Sequence, residues 1–176
     1  MHKFTQTVKN KTQMDNVLVG LGSNLGNKLQ HIKDSINEIA KIPNTTIIVQ
    51  SNVIETQSVG FNTFNFYNAV ILIQTSLNPF EFHQFTKGIE NTKGKIQRAR
   101  SEEFKDRNID IDLLLWEKTT INTQNLQLPH PEILNRKFVL HSILELSKTN
   151  DFIKNCVNWD FFYNLCQGNE IFNIVS

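Results

Sequence analysis

Cysteine is scarce in this chain. Cys156 and Cys166 are the only two in 176 residues, too few for a disulfide-built scaffold, and no histidine motif accompanies them at metal-ligand spacing. Charge of either sign is scarce in excess: 18 basic residues face 17 acidic ones, a net charge of +1. That balance excludes the basic footprint of bulk nucleic-acid binding. No run of eighteen apolar residues occurs, so no membrane span is expected. The first sixteen residues lack the apolar core of a secretory signal, and their lysines come without the arginines of a transit peptide. A cytoplasmic location with reduced thiols follows as the expectation. Repeats, low-complexity blocks and an internal linker are absent as well. Residues 14–176 are therefore expected to form one domain, with 1–13 a loose extension, and the chain is expected to be a monomer.

Arginine is the informative scarcity. Of the basic residues only Arg98, Arg100, Arg107 and Arg136 are arginine, and three of them cluster in one segment. Such grouping reads either as forks for phosphate or as a solvated loop.

The hydrophobic pattern predicts six main elements. Val17–Leu21 is a short apolar run bounded by glycine and reads as a buried strand. Leu29, Ile32, Ile36 and Ile39 recur at helical spacing, which predicts an amphipathic helix over roughly 26–41, opened by Asn27 and Gln30 in a capping box. Thr46–Ile54 is β-branched and predicts one strand, residues 56–65 a loop, and Tyr67–Thr75 another strand. Asn78-Pro79 starts a helix whose Phe82, Phe85 and Ile89 share one side, and Gly94 ends it. Residues 95–107 form a charged loop, and Ile109–Trp116 a fourth strand. The order β-α-β-β-α-β is that of an α+β, ferredoxin-like fold: an antiparallel sheet with helices packed on it. Beyond it come a turn and helix over His130–Leu146 and an aromatic-rich helix or turn over 152–166, expected to pack under the sheet. Fold class alone does not decide function.

Four segments carry chemistry. In Arg107-Asn108-Ile109-Asp110-Ile111-Asp112-Leu113, strand alternation points Asp110 and Asp112 the same way, about 7 Å apart, while the apolar residues face inward. Two like charges side by side are costly in a strand, and a hard divalent cation bound to phosphate offsets that cost. The other reading is a solvated polar face, which the adjacent Arg107 disfavours. Gly22-Ser23-Asn24 reads as a tight strand-to-helix turn, and its glycine spacing is wrong for a dinucleotide fingerprint. Leu128-Pro129-His130-Pro131 followed by Arg136 could aim His130 and Arg136 at an anion, or simply form a turn. Asn68 stands at a strand start, where its amide can read the edge of a flat heterocycle, or is one strand-edge asparagine among many.

Taken in order, these segments resemble the 6-hydroxymethyl-7,8-dihydropterin pyrophosphokinase family. The resemblance rests on Gly22-Ser23-Asn24-Leu25, Phe66-Tyr67-Asn68-Ala69, Ile89-Glu90 with Gly94, Arg107 through Asp112, and Leu128-Pro129-His130-Pro131 with Asn135-Arg136-Lys137-Phe138. It implies transfer of pyrophosphate from ATP to the pterin hydroxymethyl oxygen with release of AMP, in folate biosynthesis. It implies two Mg²⁺ held by Asp110 and Asp112, and Arg107 on a loop closing over the triphosphate. Glu90, Arg98, Leu113, His130 and Arg136 would contact ATP. Thr56, Val59, Phe66, Asn68 and Phe138 would form the pterin pocket. Where the family has arginine after the glycine matching Gly94, this chain has Lys95, so either Lys95 or the Arg98–Arg100 pair clamps phosphate. The alternative to catalysis is a binding module that keeps the pterin pocket without activity.

Overall fold

The structure is a computed structural model that describes residues 13–57, 64–93, 107–156 and 173–175. Its elements are β1 (Asp15–Ser23), α1 (Lys28–Ile39), β2 (Thr45–Gln50), β3 (Val53–Thr56), β4 (Phe66–Thr75), α2 (Pro79–Lys93), β5 (Asp110–Trp116), β6 (Ile121–Asn122), β7 (Gln127–Leu128), α3 (Lys137–Ser147), α4 (Asp151–Cys156) and β8 (Asn173–Val175). The main sheet runs β5-β1-β4-β3-β8, with β2 also on β4, and every pairing is antiparallel.

Both faces of this sheet are covered, which is why β1 and β4 read as nearly continuous apolar runs. Val17, Val19 and Leu21 of β1 join Ala69, Ile71 and Ile73 of β4 in one cluster, sealed by Ile32 and Ile39 of α1 and Phe82 of α2. Leu18, Val70, Leu72 and Leu114 face the other way and are covered by Val139, Ile143 and Leu146 of α3 and Ile153 of α4. Strand alternation sorts the side chains between the two clusters. Phe82 stacks edge-on against Trp116, with ring centroids 6.1 Å apart, and Trp116 donates its indole N–H to Asp15 at 2.9 Å.

Helix α2 begins as its sequence indicates. The Asn78 side chain accepts from the amides of Phe80 and Glu81, and Glu81 accepts from the Asn78 amide, a reciprocal capping box. The box predicted for α1 is only half made. Asn27 accepts from the Gln30 amide, but the Gln30 side chain turns forward to Asp34 at 2.7 Å.

Three further expectations are corrected. Phe85 does not share the buried side of α2: it is 43% exposed, and Thr86 is buried in its place. The stripe steps from Phe82 by four residues rather than three, so Thr86 faces the sheet and Phe85 stands on the flank. The single strand over Thr46–Ile54 is two strands, broken because the Ser51 hydroxyl takes the Val70 amide at 3.0 Å in place of a regular ladder bond. The edge strand β8, on β3, has no counterpart in the predicted order. Of the segment expected to pack under the sheet, Ile153 does so, while 157–166, with Cys166, lies outside the described residues, as do residues 1–12.

Candidate active site

One glycine of β1, Gly22, leaves the floor of the site bare, while Gly20 is covered by the core side chain of Leu114. On β1, Gly20 lies opposite Asp112 and Gly22 opposite Asp110 on one side, while Gly22 lies opposite Asn68 on the other. The row Asp110–Gly22–Asn68–Ile54 therefore crosses four strands with bare backbone at its centre. Adjacent strands lie about 4.8 Å apart, so the Asp110 and Asn68 backbones stand roughly 10 Å from one another across this floor. A side chain at Gly22 would fill it: a Cβ there would lie 3.1 Å from Asn68 Oδ1 and 3.9 Å from the Phe66 ring.

On the β5 side, both carboxylates meet cations. Arg107 Nη1 lies 2.7 Å from Asp110 Oδ1, and Arg136 Nη1 lies 2.7 Å from Asp112 Oδ2. His130 Nε2 lies 4.0 Å from the second Asp112 oxygen. The alternation behind this is as expected: Ile109, Ile111 and Leu113 are buried at 3% exposure or less, and the aspartates are half-buried on the opposite face. Burial, then the negative charge of Asp112, raises the Asp110 carboxyl to about 6, and Arg107 only partly offsets them. An anion disfavoured in this way favours an added cation.

Each cationic group has an identifiable anchor. Arg107 is held by Asn24 of the Gly-Ser-Asn turn: Asn24 Oδ1 accepts from the Arg107 amide at 2.9 Å, and the Asn24 amide donates to the Arg107 carbonyl at 3.3 Å. In the sequence Asn24 is legible only as part of the strand-to-helix turn. Asn108 donates to the Lys93 carbonyl at 2.9 Å, which ties the end of α2 to the start of this strand. The His130 amide donates to the Leu114 carbonyl at 2.8 Å, and its Nδ1 accepts from the Glu132 amide at 3.1 Å. That bond leaves Nε2 to carry the proton toward Asp112. Burial holds the imidazole below its ordinary range, against the pull of Asp112. Arg136 is the N-cap of α3 in extended conformation and makes no side-chain cap bond, so its fork reaches Asp112 instead.

Glu90 accepts from the Ile111 amide at 2.7 Å and pairs with Lys87 at 2.7 Å. It thus joins α2 to β5. The Leu113 side chain lies in the core, so only its backbone can meet a ligand.

On the other side of the glycine floor, buried Asn68 donates from Nδ2 to Thr56 Oγ1 at 2.8 Å. Phe66 is half-buried at the start of β4. Phe138, in the first turn of α3, packs against the cluster on this same face of the sheet. Of the remaining residues named from sequence, Val59, Gly94, Lys95, Arg98 and Arg100 lie outside the described residues. A groove of about 760 Å³ on the helical face, lined by Glu38, Phe85, Gly88, Ile89 and Lys93, includes none of the catalytic, substrate-binding or metal residues named from sequence.

Among the described residues no three histidine, cysteine or acidic side chains gather as a metal cage. Two same-face carboxylates without a third protein ligand fit Mg²⁺, which keeps waters or takes phosphate oxygens for its other positions. Fold and site together define a small α+β domain whose half-buried cluster of two carboxylates, two arginines and a histidine suits metal–phosphate chemistry. Residues 18–148 match the family model described as 7,8-dihydro-6-hydroxymethylpterin-pyrophosphokinase, and the chain belongs to that family. It is 34% identical over 135 residues to the 2-amino-4-hydroxy-6-hydroxymethyldihydropteridine pyrophosphokinase of Bacillus subtilis, covering 76% of this chain and 79% of that protein. It is 37% identical over 134 residues to the Aquifex aeolicus protein of the same name, covering 76% and 81%. Among solved structures, an HPPK-DHPS in complex with substrates superposes with a TM-score of 0.54 at 12% identity, covering 76% of this chain and 40% of that one. Plasmodium falciparum HPPK-DHPS gives a TM-score of 0.57 at 14% identity, over 75% and 40%. These two show the fold, and this chain spans about two fifths of their length. Among the described residues, no helix is long and apolar enough to cross a membrane.

Proposed function

We propose that this chain is an ATP-dependent pyrophosphokinase of folate biosynthesis, moving pyrophosphate from ATP to the hydroxymethyl oxygen of 6-hydroxymethyl-7,8-dihydropterin. One observation carries the reading: a carboxylate pair and a buried amide flank the same glycine floor, the former beside two arginines and a histidine. That is a polyanion half-site next to a half-site for a flat, polar-edged ring.

In the reaction, the hydroxymethyl oxygen forms a bond to the β-phosphorus and the bridging bond to the α-phosphate breaks. AMP leaves with the electron pair, and the hydroxyl proton passes to solvent. Asp110 and Asp112 would hold two Mg²⁺, which supply neutralisation of phosphate charge. Catalysis is then mostly orientation and electrostatics. Arg107 and Arg136 are the forks for phosphate oxygens, and His130, neutral with Nε2–H outward, donates to one. Glu90 fixes the strand edge on which the nucleoside lies, with the Leu113 backbone beside it. Lys95 or the Arg98–Arg100 pair completes the clamp. Asn68, oriented by Thr56, reads the pterin edge, Phe138 and Phe66 cover its faces, and the Val59 backbone closes the pocket.

The strand order β5-β1-β4-β2/β3 supports the ferredoxin-like reading, with β2 and β3 as one interrupted strand. The protein acts as a cytoplasmic monomer on two small molecules, without nucleic acid or membrane. Purified protein is expected to form AMP from ATP only when the pterin and Mg²⁺ are both present, read by phosphorus NMR. ADP as product, or turnover without the pterin, overturns the assignment.

A further inference from the structure

The face of the β3–β4 hairpin that points away from Thr56, Phe66 and Asn68 is braced by one lysine. Lys28, the first residue of α1, donates to the Asn65 carbonyl at 3.0 Å, lies 3.8 Å from Glu55 Oε1, and stands 4.1 Å from the centre of the Tyr67 ring. Asn65 closes the circle by donating to Glu55 at 3.2 Å. Only 20% of the Lys28 side chain is exposed, although lysine usually carries its ammonium out to water. A cation withdrawn this far is stabilised by its carboxylate, carbonyl and aromatic partners.

Each of these contacts is the chain neighbour of a residue assigned to the pterin side. Glu55 precedes Thr56, Asn65 precedes Phe66, and Tyr67 stands between Phe66 and Asn68. Strand alternation puts Glu55 and Tyr67, themselves cross-strand partners, on one face and the three pocket residues on the other. The β3–β4 ladder spans only Ile54–Thr56 against Phe66–Asn68, so few main-chain bonds fix the strand spacing here. The Thr56–Asn68 bond at 2.8 Å depends on that spacing.

We propose that Lys28 is a positioning residue for the pterin half of the site, holding β3 and β4 at the separation that fixes the Asn68 amide in one orientation. The inference rests on the reading that Asn68 meets the pterin edge. It gives α1 a part in substrate recognition from behind the sheet.

The test uses the full chain with Lys28→Met, 6-hydroxymethylpterin as a fluorescent probe, and Mg²⁺ with a non-hydrolysable ATP analogue as the second ligand. Pterin Kd should rise about tenfold, equivalent to roughly 1.4 kcal/mol, with nucleotide Kd changed by less than about twofold. In turnover the KM for the pterin should rise while kcat holds, and the Asn68 side-chain amide resonances should shift. Lys28→Arg should restore both, since a guanidinium keeps the ring and carbonyl contacts. Should Lys28→Met not fold, Glu55→Gln removes only the ionic contact and should give a smaller loss of the same kind. Unchanged pterin affinity, or equal loss of both ligands, overturns the proposal. Pterin binding absent from the wild-type chain removes the Asn68 reading, and this inference falls with it.

Discussion

Replacing a residue proposed to hold metal should make the ligand-free protein more stable. The perturbation is Asp110→Asn, which keeps the shape of the side chain and removes its charge. In the fold the Asp110 carboxyl titrates at about 6 instead of 3.8, because burial and Asp112 outweigh Arg107. Each tenfold in proton affinity is 1.36 kcal/mol, so keeping this carboxylate ionised at neutral pH costs the fold on the order of 3 kcal/mol. The side chain retains 20% exposure and the variant weakens the Arg107 contact, so a net gain of about 1–2 kcal/mol is the expectation. For a chain of this size that is a rise in Tm of roughly 2–8 °C. The sign follows from linkage: the folded state binds this proton more tightly than the unfolded chain. The stabilising contribution of the protonated carboxyl is fully present below 3.8 and is lost as pH rises through about 6. The gain in the variant should therefore be near zero at pH 4, grow between pH 4 and 6, and level off above. Thermal melts of both proteins across that range, without metal or nucleotide, provide the measurement. A variant less stable than wild type at pH 7.5, or a gain independent of pH, would refute the electrostatic account of the site. The same variant should lose turnover.

Three other outcomes follow from the same geometry. Binding of Mn²⁺ in the presence of a non-hydrolysable ATP analogue should weaken as pH falls through about 6, because a protonated Asp110 is a poor ligand; Mn²⁺ paramagnetic resonance would read this, and a flat profile would count against Asp110 as ligand. Gly22→Ala places a Cβ 3.1 Å from Asn68 Oδ1 and should weaken pterin binding about tenfold while sparing the nucleotide, as calorimetry would show. Asn24→Ala removes the acceptor of the Arg107 amide and should cost about 1–2 kcal/mol of stability by denaturant unfolding. It should also lower kcat more than it raises the pterin KM, and the reverse pattern would detach Arg107 from the chemistry.

The parts of this site that the sequence reveals are those governed by short-range periodicity. Asp110 and Asp112 are recognisable because Ile109, Ile111 and Leu113 fix the inward face of the strand, and α2 because Asn78-Pro79 sets a capping side chain before a proline at the first helical position. Long-range partners are not readable in this way. Asn24 meets Arg107 across 83 positions, and nothing in the spacing of Gly22-Ser23-Asn24 signals that bond. Thr56 orients Asn68 through its hydroxyl across 12 positions, a pairing no local pattern marks. The break at Ser51 escaped because a serine hydroxyl can replace a ladder bond inside an otherwise β-branched run. Phe85 misled because steps of three and four residues are equally helical, and only the packed sheet distinguishes them. Strand β8 is three residues long and pairs with β3, so that Ile174 meets Ile54 far back along the chain.

The bare backbone of β1 at Gly22 limits how this site can be retuned. At Gly22 there is no side chain to trim, so substitution there can raise the floor but cannot lower it. Any widening must come from the walls, through Phe66, Asn68, Arg136 or Phe138, and a search for inhibitor-resistant variants should find its changes at the rim.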